Sequence, residues 1–194
     1  MDFFSSNYWD VENDKIKNGW DVGYVSTPLR EYFDQLTDKN ARILIPGAGA
    51  AWEAEYLYKL GFKHVFVLDF SKVIISKFQN RFPDFPVDHI FCEDFFNHEG
   101  KYDLIVEQTF FSSFFPSARE VFVDKISELL TKNGKFVGLL FNHEFSFDGP
   151  PFGATSAIYR LLFEPKFKFL HFATAYNSIK PRLGRELFVL LQKC

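Results

Sequence analysis

Two cysteines are too few to staple a chain of 194 residues, and they lie far apart, at Cys92 and at the last position, Cys194. Cys92 sits in an apolar, strand-like run, so free thiols in a reducing cytoplasm are expected, not a disulfide framework. The histidines His64, His89, His98, His143 and His171 are scattered. No HxxxH or CxxC spacing and no carboxylate cluster joins them, so no metal centre is expected. A nucleophile-elbow pattern and a Ser-His-Asp order are also missing. Acids and bases nearly balance, 25 against 22, for a net charge of −3. No basic run stands out, which argues against a nucleic-acid partner. No stretch approaches the ~20 apolar residues of a membrane span. The first residues, Met1 to Asn7, lack the basic start and apolar run of a secretory leader. What remains is a cytoplasmic protein handling a small molecule, expected to be a monomer.

Phenylalanine is abundant, with 27 residues. Most of those rings are read as core filler, and a few as pocket lining. The length suits one domain, 1–194, with a polar, aromatic-dotted segment at 1–40 ahead of a core at 41–194. Within that segment, Thr27 to Leu36 carries Pro28 in its first turn, a helix signal. From residue 42 strands and helices alternate. Apolar runs predict strands over 42–46, 64–68, 87–92, 102–107, 135–141, 167–174 and 186–192. Helical spacing covers 52–60 (closed by Gly61), 71–81, 117–131 (closed by Asn133-Gly134) and 155–163. This alternation predicts an α/β, Rossmann-like fold with a parallel sheet covered by helices on both faces. Ligands in such sheets bind beyond the carboxyl ends of the strands.

The turn that matters most is Ile43-Leu44-Ile45-Pro46-Gly47-Ala48-Gly49, followed twenty residues later by Asp69. Gly47 and Gly49 allow a close backbone approach, and an acid at the end of the next strand can accept hydrogen bonds from ribose hydroxyls. A dinucleotide turn needs a small residue three positions after Gly49, but Trp52 stands there, with Glu53 and Glu55 behind it. An indole and two acids at a helix start suit a pyrophosphate badly. A ribose-bearing cofactor without phosphate, S-adenosylmethionine, fits better. Further along, Asp94 and Phe95 can supply a hydrogen-bond acceptor and a flat wall for adenine, though a helix cap backed by core rings reads equally well. Glu107-Gln108-Thr109-Phe110-Phe111 ends the fourth strand as one wall of a pocket shared by cofactor and substrate. Arg119, in the first turn of a helix that is already electropositive there, hints at an anionic partner, either Glu107 or a substrate, though a plain surface arginine reads equally well. His143 is the one histidine at the ligand edge and reads as structural.

With these residues in place, the chain resembles the thiopurine methyltransferase-like family, which includes halide and thiol methyltransferases. The resemblance spans nearly the whole chain. It rests on Trp9, on Gly19-Trp20-Asp21-Val22-Gly23 with Pro28-Leu29, and on Ile45 to Gly49. It continues in Leu68-Asp69-Phe70-Ser71, Asp94-Phe95-Phe96, Tyr102 to Glu107 running into Thr109-Phe110-Phe111, Gly149-Pro150-Pro151-Phe152 and Gly184-Arg185-Glu186. The tryptophan lead-in, the double Phe and Gly-Pro-Pro-Phe are the most particular of these. The resemblance implies a class I methyltransferase with a seven-stranded, mostly parallel sheet whose last strand is antiparallel. It also implies an N-terminal lid over S-adenosylmethionine. Trp9, Trp20, Gly47, Gly49, Asp69, Phe70, Glu93, Asp94, Phe95, Glu107 and Gln108 would serve the cofactor. Phe110, Phe111, Arg119 and Phe152 would serve the substrate. Asn13 stands where relatives often carry a third tryptophan, Ala48 and Ala51 replace the usual Cys and last Gly, and Gln108 replaces Tyr or Arg.

Methyl transfer from a sulfonium to a soft nucleophile is an in-line displacement. Alignment and an apolar, water-free pocket assist it. An acceptor that is already an anion needs no general base, in keeping with the lack of a catalytic base in this sequence. The expected function is therefore methyl transfer to a small thiol, halide or similar nucleophile. The rivals are a nicotinamide-dependent oxidoreductase, opposed by Trp52, and a cofactor-binding module without turnover.

Overall fold

A computed structural model of the protein describes residues 6–13 and 19–194. The reading of residues 1–5 as no leader, and the side chain of Asn13, lie outside the described residues. The chain forms two compact units, Met1–His98 and Glu99–Cys194. The first holds α1 (Ser6–Asn13), α2 (Thr27–Phe33), β1 (Arg42–Pro46), α3 (Trp52–Lys59), β2 (His64–Leu68), α4 (Lys72–Arg81) and β3 (Ile90–Phe91). The second holds β4 (Tyr102–Gln108), α5 (Arg119–Leu129), β5 (Leu130–Phe141), α6 (Ser156–Phe163), β6 (Phe167–Thr174) and β7 (Glu186–Lys193). The seven strands make a mixed sheet of order β3-β2-β1-β4-β5-β7-β6.

In the first unit β1 runs parallel to β2, from Arg42 opposite His64 to Pro46 opposite Leu68. All but the first residue of each strand is buried, which is why both read as unbroken apolar runs. In the second unit β4 and β5 are parallel, while β7 runs antiparallel to both β5 and β6. The antiparallel last strand matches expectation.

The largest departures from the sequence reading have local reasons. Helix α2 stops at Phe33 because the next N–H groups tighten, Gln35 onto Tyr32 and Leu36 onto Phe33. The third strand shrinks to Ile90–Phe91, since Pro86 opens a 3-10 turn in which the His89 N–H bonds its carbonyl. Asn133-Gly134 does not close α5. Leu130 is already extended and paired with Tyr102, and the register then jumps to Leu104 opposite Lys135. Asn133, at φ 62°, and Gly134 therefore belong to a bulge at the start of β5. Helix α1 has no counterpart in the sequence reading.

The phenylalanines mostly do fill the core. In the second unit Phe122, fully buried, packs edge-on to Phe111 at 4.9 Å, and Phe111 in turn meets Tyr159 and Phe163. Such pairs add about 0.5–1.5 kcal/mol each beyond the area they bury.

Candidate active site

Parallel pairing places the carboxyl ends of β1 and β2 at one edge, where the glycine turn and Asp69 meet. The Gly49 N–H donates to Asp69 Oδ2 at 3.1 Å, and the Ser71 N–H donates to Oδ1 at 3.0 Å. The Ala48 N–H bonds the Leu68 carbonyl. Gly47 and Gly49 hold φ of 56° and 52°, as does Ala51 at 54°, the residue just before α3. A β-carbon on Gly49 would meet nothing within 4 Å, so this turn opens onto free space. Burial raises the Asp69 carboxyl to about 6, against the pull of the Ser71 and Gly49 N–H groups. A carboxylate has about four acceptor positions, and these two bonds leave room for the paired hydroxyls of a ribose.

Trp52 has a different setting from the one its charge neighbours suggested. Its indole N–H donates to Asp21 at 2.9 Å, and the Arg81 guanidinium stacks 3.7 Å above its ring. Glu55 is engaged by both Lys59 and Arg81. The start of α3 is thus not a net acidic patch, and the bulk of the indole alone stands against a pyrophosphate. The same contacts tie Asp21 of the lead-in to the start of α3. Trp9 packs edge-on to Trp20 at 5.7 Å, both half-buried. Ser71 Oγ donates to Asp10 of α1 and also accepts the Ile74 N–H, capping α4. The Asp10 contact joins positions 61 residues apart, and no local pattern in the sequence signals it.

Phe70 is half-buried. Beyond β3, Asp94 Oδ1 accepts the Phe96 N–H at 2.8 Å, and the Asn97 N–H returns to the Asp94 carbonyl. This is an Asx turn and not the helix cap weighed from the sequence, since no helix follows before β4; Phe95 is buried and Phe96 half-exposed. Glu93 is exposed and pairs with buried His98.

In the second unit Glu107 is fully buried, and its Oε1 accepts the Phe111 N–H at 2.9 Å. Gln108 is half-buried, with its Oε1 lacking a hydrogen-bond partner among the described residues. Thr109 adopts φ 66°, a conformation unusual for a residue with a branched side chain. Phe110 is half-buried, whereas Phe111 faces the aromatic core and lines no open surface. Arg119 does not pair with Glu107. Its Nη2 donates to the carbonyls of Phe152 and Gly153, each at 3.0 Å, and its Nε is buried without a partner. Burial lowers the Arg119 pKa, because a desolvated cation is disfavoured.

The Phe152 N–H donates to the Ser112 carbonyl at 2.6 Å, and the Phe152 ring lies 4.9 Å from Phe115. The loop after β5 is therefore fastened to the turn after β4. Gly153 is wedged against the His143 carbonyl, far inside van der Waals contact for any β-carbon. Gly153→Ala is expected to cost about 1–3 kcal/mol and lower Tm by roughly 2–10 °C. Thermal unfolding at wild-type Tm would show that the loop moves aside freely. His143 is half-buried, and its Nε2 accepts from Arg185 Nη2 at 2.6 Å. Among the described residues no group of His, Cys, Asp and Glu could hold a metal ion, and no helix is long and apolar enough to cross a membrane.

Comparison with known proteins gives the family and the fold. Residues 4–187 match the thiopurine S-methyltransferase family model. A probable thiol methyltransferase 2 of Arabidopsis thaliana is 27% identical over 188 residues, covering 94% of this chain and 83% of its own. A structure from work on conversion of a disulfide bond into a thioacetal group during echinomycin biosynthesis superposes with a TM-score of 0.77. It is 12% identical and covers 97% of this chain and 92% of that one. A TehB-like S-adenosylmethionine-dependent methyltransferase from Corynebacterium glutamicum gives a TM-score of 0.68 at 19% identity, with 97% of each chain covered. The glycopeptide N-methyltransferase MtfA, complexed with S-adenosylhomocysteine, gives 0.70 at 14% identity, over 96% and 98% of the two chains. At these identities the structural matches establish the fold, and the family match spans almost the full length. The chain belongs to the thiopurine S-methyltransferase family of S-adenosylmethionine-dependent methyltransferases.

Proposed function

We propose that this methyltransferase acts on a small thiol or similar soft, anionic nucleophile, as a cytoplasmic monomer with no nucleic-acid partner. The observation that carries the acceptor class is Arg119. Among the described residues it is a buried cation that forms no ion pair: two carbonyls hold it, with Glu144 acting on it only through its field, and a buried charge without a close counter-ion is costly. An anionic acceptor supplies a close counter-charge. The small, acid-leaning net charge of −3 supports the absence of a nucleic-acid partner.

For the cofactor, we assign the ribose to Asp69 and the glycine turn, with Trp9 and Trp20 in the lead-in that covers them. When bound, S-adenosylmethionine supplies an electrophilic methyl group on a sulfonium. Asp69 orients the ribose through its remaining acceptor positions. Phe110 and Phe152 exclude water and hold the acceptor in line. Arg119 favours the thiolate over the thiol, whose pKa is ordinarily ~8.5, so no side chain need remove a proton during transfer.

The test is an acceptor panel of bisulfide, thiocyanate, iodide and aryl thiols, set beside oxygen and nitrogen acceptors. Turnover of the soft anions is expected, with acceptor KM raised about tenfold in Arg119→Met and cofactor affinity unchanged. Turnover of oxygen or nitrogen acceptors alone overturns the assignment.

A further inference from the structure

Glu107 is the most deeply buried acid among the described residues, at 0% exposure, and the proposed transfer gives it no proton to move. Its surroundings have a specific shape. Glu107 stands opposite Gly138 in the β4–β5 ladder. A β-carbon on Gly138 would come within 2.9 Å of the Glu107 β-carbon and 3.0 Å of Oε2. Glycine at 138 therefore makes the seat for this side chain. From that seat Oε1 reaches back over the turn and accepts the Phe111 N–H. The turn carries an unfavourable backbone at Thr109. It is fastened further by Ser112 Oγ to the Thr109 carbonyl at 2.7 Å and Ser113 Oγ to the Phe110 carbonyl at 2.6 Å. The Ser112 carbonyl then holds the Phe152 N–H, and Arg119 holds the Phe152 carbonyl.

We propose that Glu107 is a positioning residue: seated on Gly138, its carboxyl clamps the strained Thr109–Phe111 turn and, through Ser112, sets where Phe110 and Phe152 meet the acceptor. This rests on the acceptor side proposed above, and it moves Glu107 from cofactor contact to support.

The carboxyl works as a neutral acceptor. Burial, with a contribution from Glu186, raises its pKa to about 8 against the pull of the turn's N–H groups and Arg182. Tyr159 also faces it. At neutral pH the protonated form predominates, and Oε2 has no hydrogen-bond partner among the described residues. An uncharged amide of the same shape can take its place. A residue that binds cofactor through a negative charge could not be replaced in this way.

The experiment compares wild type, Glu107→Gln and Glu107→Leu by amide hydrogen exchange at Phe111, cofactor affinity by calorimetry, and kinetics with iodide, which does not titrate. Glu107→Gln is expected to match wild type in all three. Glu107→Leu is expected to exchange the Phe111 amide at least tenfold faster and raise iodide KM about tenfold, with kcat within about threefold and cofactor affinity unchanged. Loss of cofactor binding or turnover in a folded Glu107→Gln protein overturns the proposal, as does wild-type exchange and KM in Glu107→Leu. Should the Leu protein fail to fold, the Gln protein still decides. If wild type turns over no acceptor, the acceptor reading fails, while Phe111 exchange still reports on the clamp.

Discussion

Asp69→Ala is expected to weaken binding of S-adenosylhomocysteine by about 10²- to 10³-fold. Hydrogen bonds to a charged partner contribute roughly 1.5–3 kcal/mol each, and every 1.4 kcal/mol is tenfold in affinity. The variant loses the carboxylate for the ribose and also the N–H bond that shapes the glycine turn. Calorimetry decides the matter, and unaltered affinity sinks the ribose assignment. The raised pKa adds a signature in pH. As pH falls through about 6 the carboxyl takes up a proton and loses acceptor positions, so wild-type affinity drops below pH 6. Asp69→Asn, already weak, shows no such drop.

Stability moves the opposite way. The folded-state value of about 6 lies above the ordinary carboxyl value of 3.8, so the folded protein binds more protons between those pH values. The stability this group contributes is full below about 4 and lost as pH rises to about 6. At pH 7 the cofactor-free Asp69→Asn protein is relieved of about 1–3 kcal/mol of desolvation cost, offset in part because its amide keeps an acceptor for only one of the Gly49 and Ser71 N–H groups. The acid that holds the ligand is a burden to the empty fold.

The second large effect is Arg182→Met. Arg182 and Glu186 form an ion pair at 3.3 Å, with side chains 7% and 3% exposed, and Ser178 Oγ donates to the other Glu186 oxygen at 2.8 Å. Removing one partner of a buried pair costs about 3–5 kcal/mol, because the other charge stays desolvated. A Tm fall of roughly 6–20 °C follows. Burial already raises the Glu186 pKa, with Arg182 and Ser178 pulling it down. Without Arg182 the carboxyl takes a proton more readily. The deficit is thus largest at pH 7 and above and shrinks toward pH 5. Replacing both residues by apolar ones restores most of the loss. Denaturant titrations at the two pH values test this, and a single-variant deficit below about 1 kcal/mol at pH 7 defeats it.

The strands and the glycine turn beside Asp69 were legible because short-range pattern decides them. Unbroken apolar runs marked β1 and β2, and two glycines with an acid twenty residues on marked the turn. The errors have physical causes. Asn133-Gly134 has the composition of a helix stop, yet pairing of Leu130 with Tyr102 ended α5 first. The partners of Arg119 turned out to be backbone carbonyls, which carry no identity in a sequence. Gly138 was invisible for a related reason. Its meaning depends on the side chain of Glu107, placed beside it only by strand pairing. Phe110 and Phe111 look alike on paper, but the 3-10 turn that follows sends one into the core and leaves the other half-exposed.

Ser71 joins three partners at one residue. Its N–H serves Asp69, and its hydroxyl serves both the Ile74 N–H and Asp10. Such a position is pleiotropic: a substitution there disturbs ribose acid, helix cap and N-terminal helix together. Threonine alone keeps an amide and a hydroxyl in place. The lead-in is thus anchored from outside itself, at Ser71 through Asp10 and at Trp52 through Asp21.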